Sequence, residues 1–140
     1  MGKRGEDDQI WKSLVQYIRN RDKVCRLFRV LTIGEMAQLK KLAPRQQLNT
    51  FDPAHVIPAS MNGTMVYEPK NIVLLNRYSH ENLDLNRDPI TGKRLTQNQK
   101  HQWWSRIVGT QLYKELLSQA NRQHHMPDEN DTSTQEEGDY

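Results

Sequence analysis

The sequence predicts an α+β domain: a short antiparallel hairpin, a helix directly after it, and longer helices on either side. Residues 51–58 (FDPAHVIP) and 71–75 (NIVLL) are apolar runs of strand length, separated by a stretch containing the turn signal Asn62-Gly63. Apolar residues recur at helical spacing over residues 9–20 and again over about 97–120. Composition limits the size of the core. Of 140 residues, 35% are hydrophobic and 26% charged, which suits one small core with polar extensions and not two cores.

In chain order, residues 1–8 read as a flexible lead-in. Ile10, Leu14 and Ile18 then share one face of the first helix, flanked by Trp11 and Val15, with Asp7 or Asp8 as its cap. Thr32-Ile33-Gly34-Glu35 fits a capping box, opening a short helix with Met36, Leu39 and Leu42 inward and a stop at Pro44. Residues 45–50 read as polar linker. The prolines in 51–58 mark an edge strand, and 71–75 is the more buried partner. Residues 77–86 (RYSHENLDLN) read as a helix with Ser79 as a candidate cap, and Asp88-Pro89-Ile90-Thr91-Gly92 is turn chemistry. Thr96 with Gln99 forms a second capping box. The helix after it carries Trp104, Val108 and Leu112 along one stripe, Trp103 and Ile107 beside it, and Gly109 as a point of kinking or division. This makes a single domain over 9–122 and an acidic tail over 123–140 with the composition of a disordered segment.

Charge is unevenly spread. Six acids lie in the last 14 residues, so residues 1–126 hold 20 basic and 11 acidic groups, a net of +9. A basic body of this size suits a polyanion, nucleic acid being the usual one. The densest basic cluster is Arg19, Arg21, Lys23, Arg26 and Arg29, interrupted only by Asp22. The single cysteine, Cys25, excludes an intrachain disulfide and a four-cysteine zinc site. The least charged stretch, 54–67, is too short and polar to cross a bilayer, and the charged N-terminus is not a secretory signal. The expectation is a soluble, intracellular protein with no membrane partner.

The chemistry-bearing residues fall between 52 and 84. His80 and Asp84 stand four apart on the predicted helix and project from one face, a nitrogen and an oxygen donor for one divalent cation. Asp52 and His55, across the hairpin, face the same point if strand and helix pack together. A neutral imidazole is a competent base near pH 7, and a divalent cation neutralises charge on a phosphoryl oxygen. Together they suit metal-assisted phosphodiester hydrolysis, with Arg and Lys holding the remaining phosphates.

Asp52-Pro53-Ala54-His55-Val56-Ile57-Pro58, followed by Asn71-Ile72-Val73-Leu74-Leu75-Asn76-Arg77-Tyr78-Ser79-His80, resembles the HNH endonuclease motif. Arg21-Asp22-Lys23-Val24-Cys25 is similar to the stretch that often precedes it, so the resemblance covers about residues 19–86. It implies a ββα-metal finger with its core at about 50–86, of the small stand-alone kind frequent in phages and mobile elements. It implies His55 as the general base, Asn71 as the brace of the inter-strand loop, His80 as a metal ligand and Asp84 as a second helical ligand of the colicin type. It further implies one divalent ion, Mg²⁺ or Mn²⁺ ahead of Zn²⁺ or Ni²⁺, and products with 5′-phosphate and 3′-hydroxyl ends. Two departures stand out. The residue before the base, commonly a metal-binding Asp or His, is Ala54, which leaves Asp52 as the candidate replacement. Many relatives carry two CxxC pairs; here those positions hold Cys25, Phe28, Asn76 and Ser79, and the flanking helices are expected to supply the missing stability.

The function expected is therefore a metal-dependent DNA endonuclease or nickase acting on double-stranded or structured DNA. Arg77 and the run Arg19, Arg21, Lys23, Arg26 and Arg29 are the candidate phosphate contacts. Two readings compete with it: a binding module that kept the scaffold but lost turnover, which Ala54 favours, and a protein-interaction factor working through the acidic tail.

Overall fold

The computed structural model describes residues 2–58 and 63–124, with side chains over 7–58 and 63–122. Helix α1 (Gly2–Asp22) leads into a 3₁₀ turn (Arg26–Arg29), then α2 (Ile33–Leu42) and the short α3 (Arg45–Leu48). Strand β1 (Phe51–His55) pairs antiparallel with β2 (Ile72–Asn76) as a two-stranded sheet, Phe51 opposite Asn76 and His55 opposite Ile72. Helices α4 (Arg77–Asp84), α5 (Gln97–Val108) and α6 (Thr110–His124) follow. The result is a small α+β fold with an antiparallel hairpin flanked by helices. The residues 59–62, including Asn62 of the expected turn, and the acidic tail from 125 onward lie outside the described residues.

Local sequence explains most boundaries. Both capping boxes form: the hydroxyls of Thr32 and Thr96 accept from the Glu35 and Gln99 N–H groups, and those side chains accept in return from the cap backbones. Helix α4 is capped by Asn76, whose side chain accepts from Ser79 N–H, so the cap expected at Ser79 sits three residues earlier. Gly109, at φ +98°, divides the C-terminal helix in two. Helix α1 starts at Gly2, so the expected lead-in of residues 2–8 is helical and Asp7 and Asp8 lie inside the helix instead of capping it. No proline interrupts that segment. Residues 45–48, expected as linker, form α3 because Leu48 reaches the core. Leu42 is 45% exposed, against expectation; Ala43 takes the inward position as the chain turns out of α2.

All five residues of β2 are buried, and they alternate between two cores. Ile72 and Leu74 pack on Ile18 of α1, with Trp11, Leu14 and Phe51 around them. Val73 and Leu75 join the main core with Leu27, Leu83, Trp104 and Leu116. Each such fully buried side chain contributes about 1.5–3 kcal/mol. Helices α1 and α5–α6 therefore cover opposite faces of a hairpin that would not hold alone.

A polar joint fastens α1 to β2. Asp22, 1% exposed, accepts from Leu74 N–H at 3.0 Å and from Arg21 Nε and Nη2 at 2.7 and 3.0 Å. Arg21 continues across the sheet end to the carbonyls of Pro69 and Ile72 at 2.9 and 2.6 Å. Arg26 reaches the same carboxylate at 3.4 Å, and Arg29 donates to the Asp22 carbonyl. Burial pushes the Asp22 carboxyl upward, but the Arg21 and Leu74 hydrogen bonds and the charges of Arg21 and Arg26 outweigh it and hold it below the usual range. A second joint ties α2 to α5: Arg106 pairs with both oxygens of Glu35 and donates to the Val30 carbonyl at 2.8 Å.

Removing the carboxylate leaves an arginine and a buried N–H without their partner. Asp22→Ala is therefore expected to cost roughly 3–5 kcal/mol in urea unfolding, and a loss under about 1 kcal/mol would refute the joint. Arg106 holds the Glu35 carboxyl down at about 2, with the Thr32 N–H assisting. Stability carried by a depressed carboxyl is complete above its unfolded value and lost as pH falls through the folded one. The urea midpoint should thus decline between about pH 4.5 and 2. Glu35→Gln should flatten that decline; an unchanged pH profile would exclude the pair as its source.

Candidate active site

His55 closes β1, and its position is set by the loop that joins the strands. Its Nε2 lies 2.9 Å from the Val66 carbonyl oxygen. A carbonyl only accepts, so Nε2 carries the proton and Nδ1 of the neutral ring is left with its lone pair. Trp11 of α1 stacks on the imidazole at 5.7 Å between centroids and 20° between planes. Asn71 lies in the 3₁₀ turn before β2, one residue ahead of the strand, and is fully buried. Its side chain accepts from Ile57 N–H at 2.8 Å and donates to the carbonyls of Ile57 and Met65 at 3.0 and 3.1 Å. Holding Met65 fixes the peptide next to the carbonyl that orients His55.

Helix α4 starts where β2 ends, with Asn76 as both last strand residue and cap. One turn in, His80 Nε2 stands 3.2 Å from Asp84 Oδ2, the i,i+4 pair read from the sequence. The other ring nitrogen, Nδ1, is 4.0 Å from Asp52 Oδ2. The hydrogen bond to Asp84 raises the pKa of His80; burial opposes it, and the charges of Asp84, Asp52 and Glu81 add to it. Asp52 itself is engaged elsewhere: Arg77 donates to its two oxygens at 2.9 and 3.1 Å. The arginine expected at a phosphate thus holds the carboxylate expected at a metal. Ala54, two residues along the same face of β1, is buried in the main core.

His55, His80 and Asp84 line one cavity of about 590 Å³ between the hairpin and the C-terminal helices. Its far wall holds Lys100, His101, Trp104 and Tyr113. His101 Nδ1 and the Tyr113 hydroxyl share a hydrogen bond across the α5–α6 junction. Burial, then the Lys100 charge, lowers the His101 pKa, and burial pushes the Tyr113 phenol up to about 12, so both are uncharged at neutral pH. Of these wall residues, Lys100, His101 and Tyr113 were missed by sequence reasoning, which read Trp104 and Trp11 as apolar faces of their helices. They lie far from the motif in the chain, and no local spacing marks them.

Among the described residues, no group of three His, Cys, Asp or Glu closes on one point. The His80–Asp84 pair still fits part of a coordination sphere. Adjacent ligands with bonds of about 2.1 Å stand roughly 3.0–3.4 Å apart, the spacing of these two donors.

The basic run has internal tasks. Arg21, Arg26 and Arg29 converge on Asp22, and Arg19 donates to the Phe51 carbonyl at 3.0 Å. Lys23, exposed at φ +66°, is the residue on which the chain leaves α1. Three of the four positions that the sequence resemblance pairs with structural cysteines, Cys25, Asn76 and Ser79, meet by hydrogen bonds. Asn76 donates to Cys25 Sγ from N–H at 3.1 Å and from Nδ2 at 3.4 Å, and Nδ2 also reaches Ser79 Oγ at 3.0 Å. Burial pushes the Cys25 thiol up. Phe28, at the fourth position, packs edge-on against Phe51.

Comparison with protein-family models, with curated proteins and with solved structures finds no match to this chain.

Proposed function

We propose that this chain is a divalent-metal-dependent endonuclease or nickase of the HNH kind, acting on DNA through a ββα-metal finger. The observation that carries the reading is the sharing of one cavity by His55, whose Nδ1 has no partner among the described residues, and the His80–Asp84 donor pair. The order hairpin, asparagine brace, helix supports it. So does the hydrogen-bonded knot of Cys25, Asn76 and Ser79, which joins by polar contacts what zinc joins in many relatives.

In this reading, His55 takes a proton from water at Nδ1 while the Val66 carbonyl holds the opposite edge of the ring. Asn71 holds the neighbouring Met65 carbonyl in place, and Trp11 restricts rotation of the imidazole. His80 and Asp84 would hold one divalent ion, Mg²⁺ or Mn²⁺. When bound, such an ion neutralises charge developing on the phosphate. Asp52, tied to Arg77, stands behind the imidazole of His80. Water and phosphate oxygens would complete the coordination, as is usual for Mg²⁺.

A supercoiled-plasmid assay with Mg²⁺, Mn²⁺ or EDTA tests the proposal. Cleavage should require metal, and His55→Ala should lower it by about 10²–10⁴-fold. The ratio of nicked to linear product reports whether one or both strands are cut. A wild type that retards DNA but leaves it uncut in Mg²⁺, Mn²⁺ and EDTA alike would leave the non-catalytic binding module in place, the reading that Ala54 and the Asp52–Arg77 pair favour. A second expectation concerns that pair. Arg77→Ala releases a carboxylate close to His80, so Mn²⁺ should bind several-fold more tightly in calorimetric titration. Unchanged or weaker binding would show that Asp52, behind the imidazole, does not strengthen His80 as a ligand.

A further inference from the structure

The cations of the Arg19–Arg29 run are largely consumed by Asp22 and by backbone carbonyls. A different basic element stands beside the cavity. Residues 86–95 fold back on themselves after α4: Asp88 N–H donates to the Lys93 carbonyl at 2.7 Å and Leu95 N–H to the Asn86 carbonyl at 2.8 Å. Arg87 and Arg94 face each other in a β-bridge. The side chains of Arg87, Lys93 and Arg94 are exposed and form no hydrogen bond or ion pair among the described residues. The acid within the turn, Asp88, is occupied by Ile90 N–H at 2.7 Å and Thr91 N–H at 2.9 Å.

This ribbon is fixed relative to the candidate site. Ser79 Oγ donates to the Pro89 carbonyl at 2.8 Å, and Tyr78 Oη to the Ile90 carbonyl at 3.0 Å. Those two residues immediately precede His80 on α4. At the root of the ribbon, Asn86 lines the cavity and accepts from Lys100 Nζ at 2.6 Å. Three exposed cations are thus carried on a ribbon that is tied to α4 and whose root, Asn86, lines the cavity shared by His80 and Asp84.

We propose that this ribbon, through Arg87, Lys93 and Arg94, grips the DNA backbone next to the cavity, in place of the Arg19–Arg29 run. The inference rests on the nuclease reading for its partner, but it concerns binding and needs no turnover. The occupant is DNA because the cations are spread along an exposed ribbon that continues the rim of a site suited to a phosphodiester, and charge complementarity then selects a continuous polyanion.

The test is fluorescence anisotropy with a labelled DNA duplex, in EDTA and in Mg²⁺, over a series of salt concentrations. The full-length variant R87Q/K93Q/R94Q is compared with K40Q/K41Q/R45Q, which removes equal charge from exposed positions on α2 and α3. Circular dichroism and thermal unfolding confirm that both fold. The ribbon variant should lose at least tenfold in affinity, and its slope of log affinity against log salt should fall by about 2–3. The control should keep the wild-type slope. Equal losses in the two variants, or none in the ribbon variant, would overturn the inference while leaving the nuclease reading intact. A wild type that binds no DNA in either buffer would overturn both. Ribbon-dependent binding of poly-glutamate without DNA binding would overturn it in favour of an acidic protein partner.

Discussion

Asp22 is the constraint on which the rest of the molecule depends. One carboxylate, nearly sealed from solvent, accepts a backbone N–H from β2 and two bonds from its sequence neighbour Arg21. Arg21 then extends to the carbonyls of Pro69 and Ile72. An ionised carboxylate in such a place is tolerable only because every approach to it is occupied by a donor. The consequence is geometric. With α1 locked to β2, Trp11 lies against His55 and Ile18 covers Ile72 and Leu74. The first helix thereby shapes a site whose named residues all lie at least thirty positions later in the chain.

The hairpin is too small to be stable alone, and its second strand, β2, answers by burying both faces. Helix α1 covers one, and the α5–α6 pair covers the other. Cys25 accepts from Asn76, and Asn76 reaches Ser79, so a neutral polar knot joins the chain before the 3₁₀ turn to the junction of β2 and α4. It is assisted by Phe28 against Phe51 and by the flanking helices. This division of labour also creates the cavity. The same C-terminal helices that complete the core supply its far wall, including His101, Trp104 and Tyr113.

Charge is partitioned by use. Cations near Asp22 serve the fold, Arg77 serves Asp52, Arg106 serves Glu35, and the ribbon after α4 keeps its cations outward. A net charge of +9 over residues 1–126 states how much positive charge is present, but not how much is available to a partner. That difference moves the expected contact surface from the region before the hairpin to the region after α4.

The sequence by itself determined what depends on near neighbours. The two capping boxes, the two strand-length apolar runs, the break at Gly109 and the His80–Asp84 pair are all products of spacing over a few residues, and each was legible for that reason. Tertiary structure decided whatever joins distant segments. Asp22 looked like an interruption in a basic run because its essential partner, Leu74, lies 52 residues away. Asp52 looked free for a metal because its proximity to Arg77, 25 residues on, exists only once strand and helix pack. The start of α1 and the short α3 were missed because polar stretches such as GKRGEDD and RQQ carry no apolar period, and their conformation follows from the elements they continue or connect. Local propensity acts along the chain, whereas burial, ion pairing and the shape of a cavity are properties of segments that meet only after folding.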